Sequence, residues 1–156
     1  MGQGSFDLPE LDQKKTQAAV EEVLEKYRIF KTITFEEREA NVTSSISDVP
    51  RSFTGTTSDQ TGDIAIHNVF VPEMRRSFCE RVERAVNKLY PKERLLITER
   101  YMKDNRVTDI KMYTFVFNPP MSRDTYVKIR WTAFYSLAFN LSYFKIININ
   151  DLVRSD

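Results

Sequence analysis

The sequence Asn118-Pro119-Pro120 forces a break between two helical segments in the C-terminal half of the chain. Proline lacks the N–H that a helix interior needs and restricts the residue before it, so a helix predicted from Thr108 must end near Phe117. Ser122 is a favourable N-cap, and the carboxylate of Asp124 suits the positive end of a helix that starts there. The sequence therefore predicts two helices joined by a short connection.

Apolar residues recur at spacings of three and four along most of the chain, which is typical of amphipathic helices. Asp12 can cap a helix over residues 13–30, Asp63 one that reaches residue 70, and Pro72 suits the first turn of one that reaches residue 90. A further helix opens at Pro91. We predict an all-α helical bundle of five or six helices, with these residues as its core: Val20, Val23, Leu24, Tyr27, Phe30, Phe78, Cys79, Val82, Val86, Leu89, Leu95, Leu96, Tyr101, Met102, Ile110, Tyr113, Phe117, Tyr126, Ile129, Ala133, Phe134 and Leu137.

Residues 39–63 differ from the rest of the chain because ten of them are Ser or Thr. Hydroxyl side chains that bond to nearby backbone compete with helix formation, so this segment is predicted to be a linker or an extended arm. The expected organisation is an N-terminal helical segment (1–38), the Ser/Thr-rich linker (39–63), a helical domain (64–142) and a C-terminal tail (143–156).

Charge is distributed unevenly along the chain although its net value is only +1. Residues 1–71 carry −5 and residues 72–156 carry +6. A basic half that contacts a polyanion such as DNA and two halves that simply attract each other explain this equally well.

Several function classes lack the residues that they require. Cys79 and His67 each stand alone, so neither a disulfide nor a zinc site is expected, and no cofactor is predicted. No phosphate-binding glycine loop or nucleophile–base pair appears, which argues against an enzyme. The chain shows no secretory leader and no apolar run long enough to cross a bilayer. The expected location is the cytoplasm of a bacterial host cell, without membrane contact.

The helix that follows Ser122 carries long hydrogen-bond donors near its start, as a DNA recognition helix does. The residues predicted to contact base edges are Arg123, Asp124, Thr125 and Lys128, and those predicted to contact phosphates are Arg106, Lys111 and Arg130. Ser122 is expected to position the helix rather than to contact DNA. From spacing alone, ordinary exposed basic positions of a helical bundle remain an equal explanation.

The segments LYPKERLLITERYM and SRDTYVKIRWTAFYSL resemble region 4 of sigma-70-type factors, which contains a helix-turn-helix. With LPELDQKKTQAAVEEVLEKYR, VPRSFT, RRSFCERVERAVNKLYPKERLLITERYM and NPPMSRDTYVKIRWTAFYSLAFNL, the chain also resembles the ArpU family of phage and prophage transcriptional regulators. The resemblance implies sequence-specific binding of double-stranded DNA and activation of late phage genes. Val127 and Lys128 stand where sigma factors often have Arg and Gln, so a promoter preference does not carry over.

Two alternatives stay open from the sequence. The same fold could be a protein-interaction module that binds RNA polymerase or a host regulator without reading DNA. A homodimer is also predicted, because one helix-turn-helix makes few base contacts and such readers commonly pair. Its two candidate seams are the stripe Val20, Val23, Tyr27 and Phe30, and the tail residues Phe144, Ile146, Ile147 and Ile149.

Overall fold

The all-α prediction is confirmed by a computed structural model, which describes residues 8–44, 59–103 and 106–155, apart from the side chains of 41–44 and 59–69. Its described residues form no strand and no helix that is both long and apolar enough to span a membrane. The elements are α1 (Gln13–Ser44), α2 (Asp59–Asn87), α3 (Pro91–Ile97) with a π-helical continuation (Thr98–Lys103), α4 (Asp109–Lys111) with a π-helical continuation (Met112–Val116), α5 (Arg123–Tyr143) and a 3₁₀ helix (Ile149–Leu152).

Helix α1 begins at the predicted cap but continues well beyond the predicted end at residue 30. The Lys15 N–H donates to Asp12 Oδ1 over 2.9 Å, which satisfies one of the unpaired donors of the first turn. The helix then runs to Ser44, and α2 starts at Asp59. Both ends of the predicted linker, 39–63, are thus helical, and its remaining residues 45–58 lie outside the described residues.

The predicted break between two helices at residues 70–72 is wrong. Helix α2 passes through Pro72 without interruption. Proline removes one backbone hydrogen bond from a helix interior, and that loss is offset here by packing against α1. The two helices are antiparallel, with the Phe30 and Phe78 rings 5.3 Å apart and Tyr27 donating to Glu83 over 2.7 Å.

Helix α5 lies at the centre of the bundle, against α1, α2 and α3. Its buried face consists of Tyr126, Ala133, Phe134, Leu137, Ala138 and Leu141. Phe134 meets Tyr101 of the first π-helical segment at 5.3 Å, and Asn140 donates to the Ala85 carbonyl of α2 over 3.1 Å. Most of the predicted core is buried or packs against this cluster, including Cys79.

Two predicted core residues are exposed, and for one of them the reason is a π-helical segment that changes the spacing of the buried face. Ile110 is 63% exposed, and Met112 is buried in its place. The Phe117 N–H donates to the Met112 carbonyl five residues earlier, over 3.0 Å, so Met112 and Phe117 share one side. A spacing of 3.6 residues cannot anticipate this arrangement. Leu95 is likewise 37% exposed beside the fully buried Leu96.

The C-terminal tail, predicted as a dimer seam, packs on its own chain. Leu152 is buried, and its carbonyl accepts the Asp12 N–H over 2.8 Å. The Arg154 N–H donates to the Glu10 carbonyl over 2.9 Å. Phe144, Ile146, Ile147 and Ile149 contact the core, and the α1 stripe is also part of that core. Both surfaces on which the homodimer prediction rests are therefore occupied within one chain.

The adjacent residues Leu95 and Leu96 provide a matched test of this packing. Leu96→Ala should lower the free energy of unfolding by about 2–5 kcal/mol, because it leaves a cavity in the core. Leu95→Ala should change it by less than about 1 kcal/mol, since the side chain already contacts water. Urea denaturation of the full chain measures both. Equal losses in the two variants would contradict the described orientation of α3.

Candidate functional site

The site is built on α4, its π-helical continuation and the start of α5. Thr108 caps α4 by accepting the Lys111 N–H over 3.3 Å. The Met121 N–H donates to the Tyr113 carbonyl over 3.0 Å, which ties residues 117–122 back to the first segment. Ser122 then stands at the N-cap of α5, where its Oγ accepts the Thr125 N–H over 3.2 Å. The start of α5 is thereby held in place from both sides.

Tyr126 joins the two helical segments. Its side chain is almost fully buried, and its ring lies 5.6 Å from Tyr113 and 6.3 Å from Phe117. Its hydroxyl donates to Asp109 Oδ1 over 2.7 Å. Burial and this hydrogen bond to a carboxylate both raise the pKa of the Tyr126 hydroxyl, so it stays protonated and remains a donor.

Asp109 also accepts hydrogen bonds from two arginine side chains, which belong to different elements. Arg100 Nε donates to Oδ1 over 3.1 Å, and Arg130 Nη1 donates to Oδ2 over 2.9 Å. Partial burial opposes ionisation of Asp109. The hydrogen bonds from Tyr126 and Arg100 and the charge of Arg130 outweigh it, so the pKa of the Asp109 carboxyl is lowered. One carboxylate thus connects the first π-helical segment, α4 and α5.

These residues surround an open cleft of about 430 Å³. The cleft separates α4 from the side of α5 that carries Arg123, Val127 and Arg130, which lie one turn apart along the helix. Ile110 and Tyr113 form the opposite wall. The cleft therefore combines guanidinium groups with exposed apolar side chains.

The four residues predicted to contact bases lie together. Arg123, Asp124, Thr125 and Lys128 are all exposed within the first two turns of α5. Lys111 is exposed on α4, and Arg106 is exposed just before that helix. Arg130 differs from these, because it is half-buried and paired with Asp109.

The connection of Arg100, Asp109 and Tyr126 is not apparent from the sequence. One signal was available, since a tyrosine on a buried helix face needs a hydrogen-bond partner for its hydroxyl. Nothing in the helical spacing, however, indicates that this partner is Asp109, seventeen residues earlier. The partner depends on how α4 folds back over α5.

A second surface lies on another side of α5. An apolar groove of about 520 Å³ runs between the start of α3 and α5, and it is lined by Tyr90, Pro91, Lys92, Glu93, Lys128, Ile129 and Thr132. Tyr90 is 78% exposed at its edge. Glu93, by contrast, is buried, and its Oε2 makes no hydrogen bond to any residue that the structure describes. Lys128 borders this groove and also belongs to the exposed group at the start of α5.

The chain is similar to a protein of Listeria innocua serovar 6a that is described as "Uncharacterized phage-related protein Lin1259/Lin1739". The two are 28% identical over 100 residues, which cover 64% of this chain and 71% of that protein. No protein-family model matches the chain, and no solved structure matches it. The comparison therefore links the chain to a phage-related protein and does not extend to a family.

The lowered pKa of Asp109 predicts a pH dependence of stability. The ionised carboxylate stabilises the fold above its unfolded pKa of about 3.9, and this contribution is lost as the pH falls through the lower folded value. Asp109→Asn should therefore lower the free energy of unfolding by about 1–2 kcal/mol at pH 7, a figure already reduced for the partial exposure of the carboxylate.

The difference in the free energy of unfolding between the parent and Asp109→Asn should shrink as the pH falls from about 5 toward 2, because protonation removes the same charge from the parent. Urea denaturation at a series of pH values measures it. Asp151→Asn, a change at an exposed carboxylate, serves as the control. A difference that stays constant over this range would show that the Asp109 charge does not stabilise the fold.

Proposed function

We propose that the chain is a sequence-specific, double-stranded DNA-binding transcription regulator. In this proposal α4 and α5 form the helix-turn-helix, and the first two turns of α5 enter the major groove. The observation that carries the proposal is the exposed cluster Arg123, Asp124, Thr125 and Lys128 on a helix start fixed by Ser122 and Tyr126. The proposal assigns no catalytic reaction to the chain.

The chemistry of this cluster suits base recognition. Arg and Lys donate to guanine O6 and N7, Thr donates or accepts, and a carboxylate accepts from the amino group of cytosine. A rigid start of the helix matters because a base contact requires the side chain to be held at a defined depth in the groove. The capping bond at Ser122 and the Tyr126–Asp109 bond provide that rigidity.

Phosphate contacts would come from positions around the cluster. Lys111 and Arg106 are exposed on the α4 side of the cleft. Arg130 donates a hydrogen bond from Nη1 to Asp109. Its guanidinium has further N–H groups that could donate to a phosphate. Asp109 would then act as a positioning residue for Arg100 and Arg130. The net charge of +6 on residues 72–156 favours the approach of DNA.

The biological setting that we propose is a phage or prophage, in which the protein activates late genes and belongs to the ArpU family. The similarity to a phage-related Listeria protein supports the phage setting. Family membership and late-gene activation are supported by the resemblance of the four sequence segments that extend from LPELDQKKTQAAVEEVLEKYR to NPPMSRDTYVKIRWTAFYSLAFNL. The bacterial cytoplasm would be the place of action.

The apolar groove beside Tyr90 favours a second candidate function, a protein-interaction module that binds RNA polymerase or a host regulator. An exposed aromatic side chain at the edge of an apolar groove is typical of a protein contact. The variant Tyr90→Ala distinguishes the two candidates. It should leave the affinity for DNA unchanged if α5 binds DNA. If the chain acts only through the groove, the variant should lose binding to its protein partner.

DNA binding can be tested by selecting sites from random double-stranded DNA with the full-length chain and then measuring affinity by fluorescence anisotropy. Lys128→Ala should weaken the binding free energy for the selected site by about 1–3 kcal/mol, because a base contact is lost. The variant should also relax the base preference at one position of that site. Lys111→Ala should weaken selected and random DNA alike and reduce the dependence of log affinity on log salt by about one unit.

Lys14→Ala is the matched control, since it removes the same charge from an exposed position on α1. It should change neither affinity nor sequence preference. Selection that yields no common sequence would overturn the proposal. A Lys128→Ala variant that binds the selected site like the parent would remove Lys128 from the set of base contacts.

A further inference from the structure

Val127 is an apolar residue among the polar exposed residues at the start of α5. It is 37% exposed within the first two turns of α5, between the exposed Thr125 and Lys128. It takes no part in the core, although a β-branched aliphatic side chain gains by leaving water. Its side of the helix carries Arg123 one turn earlier and Arg130 one turn later.

Ile110 is the second aliphatic residue that lines the same cleft. It is 63% exposed on α4, where it follows Asp109, the first residue of that helix. It lines the cleft from the α4 side, whereas Val127 lines it from α5. Two exposed aliphatic residues therefore line one cleft together with Arg123. Because both side chains line the same concave surface, they give the cleft an apolar lining that can contact an apolar group of a ligand.

The major groove of DNA displays one such group. Thymine carries a C5-methyl there, whereas the other base edges present hydrogen-bond donors and acceptors. A methyl group cannot be recognised by the arginine, lysine or aspartate side chains of the α5 cluster. It can be recognised by the methyl groups of Thr125 or Val127, and of these two Val127 is the one that lines the cleft.

We propose that Val127 reads the C5-methyl group of a thymine, with Ile110 on the other side of the cleft helping to exclude water from that contact. The inference rests on the proposed DNA-binding function and adds a specificity-determining residue to it. Because Arg123 lies one turn before Val127 on the same side of α5, the recognised sequence should contain a guanine near that thymine.

Deoxyuridine provides the test, since it differs from thymidine only by the absence of the C5-methyl group. Each thymine of the selected DNA site is replaced in turn by deoxyuridine, and the affinity of the full-length chain is measured for every substituted duplex. At one thymine the parent should lose about fourfold in affinity, the loss expected when one methyl group is no longer buried. The remaining thymines should show no change.

The Val127 variants should remove this sensitivity in a graded way. Val127→Ala should bind the thymine and deoxyuridine duplexes equally, with an affinity close to that of the parent for deoxyuridine. Val127→Thr keeps one methyl group at the same place and should retain part of the discrimination. Lys14→Ala should retain all of it. Thermal unfolding of each variant establishes that it is folded, which is expected for changes at exposed positions.

The outcomes separate this inference from the proposed function. Specific binding without sensitivity at any thymine overturns the inference and leaves the function intact. Sensitivity that survives Val127→Ala assigns the methyl contact to another residue and also overturns it. Selection that yields no specific site overturns both.

Discussion

The contact between Tyr126 and Asp109 determines how the C-terminal half of the protein is arranged. Tyr126 is buried between α4 and α5, and its hydroxyl and ring contact both segments. Oδ1 of Asp109 also accepts a hydrogen bond from Arg100, and Oδ2 accepts one from Arg130. A buried hydroxyl without a partner would be costly, so this bond sets the position of α4 relative to α5. The exposed residues at the start of α5 depend on that position.

Helix α5 is largely exposed at its start and contributes to the core along the rest of its length. From Ala133 to Leu141 its inner face is part of the core, and its outer side is covered further along by the terminal segments. The Tyr135 hydroxyl contacts the Pro9 carbonyl at 3.4 Å, and the tail packs beside it. The first two turns, from Arg123 to Lys128, carry most of the exposed residues of α5. A DNA contact through α5 would therefore lie at its start, as in a recognition helix.

Lys128 connects the two surfaces that carry the two candidate functions. It lies in the exposed cluster at the start of α5 and also at the edge of the apolar groove beside Tyr90. Bound DNA and a protein partner in that groove would thus be close neighbours. The two candidate functions are therefore compatible in one chain, with a protein partner bound in the groove next to the DNA.

The sequence by itself determined the helical class, the cap residues Asp12 and Ser122, the break at Asn118-Pro119-Pro120 and most of the buried residues. These follow from local physics, because capping, proline geometry and the spacing of apolar side chains act within a few residues. Tertiary structure decided the continuity of α2 through Pro72, since packing against α1 outweighs one lost hydrogen bond. It also decided the exposure of Ile110 and Leu95, the folding of the tail onto residues 10–12 and the pairing of Asp109 with Arg100, Tyr126 and Arg130. The continuity of α2, the position of the tail and the pairing of Asp109 depend on contacts between separate elements, which no local pattern encodes. The burial of Met112 in place of Ile110 depends on a π-helical hydrogen bond, which a spacing of 3.6 residues does not anticipate.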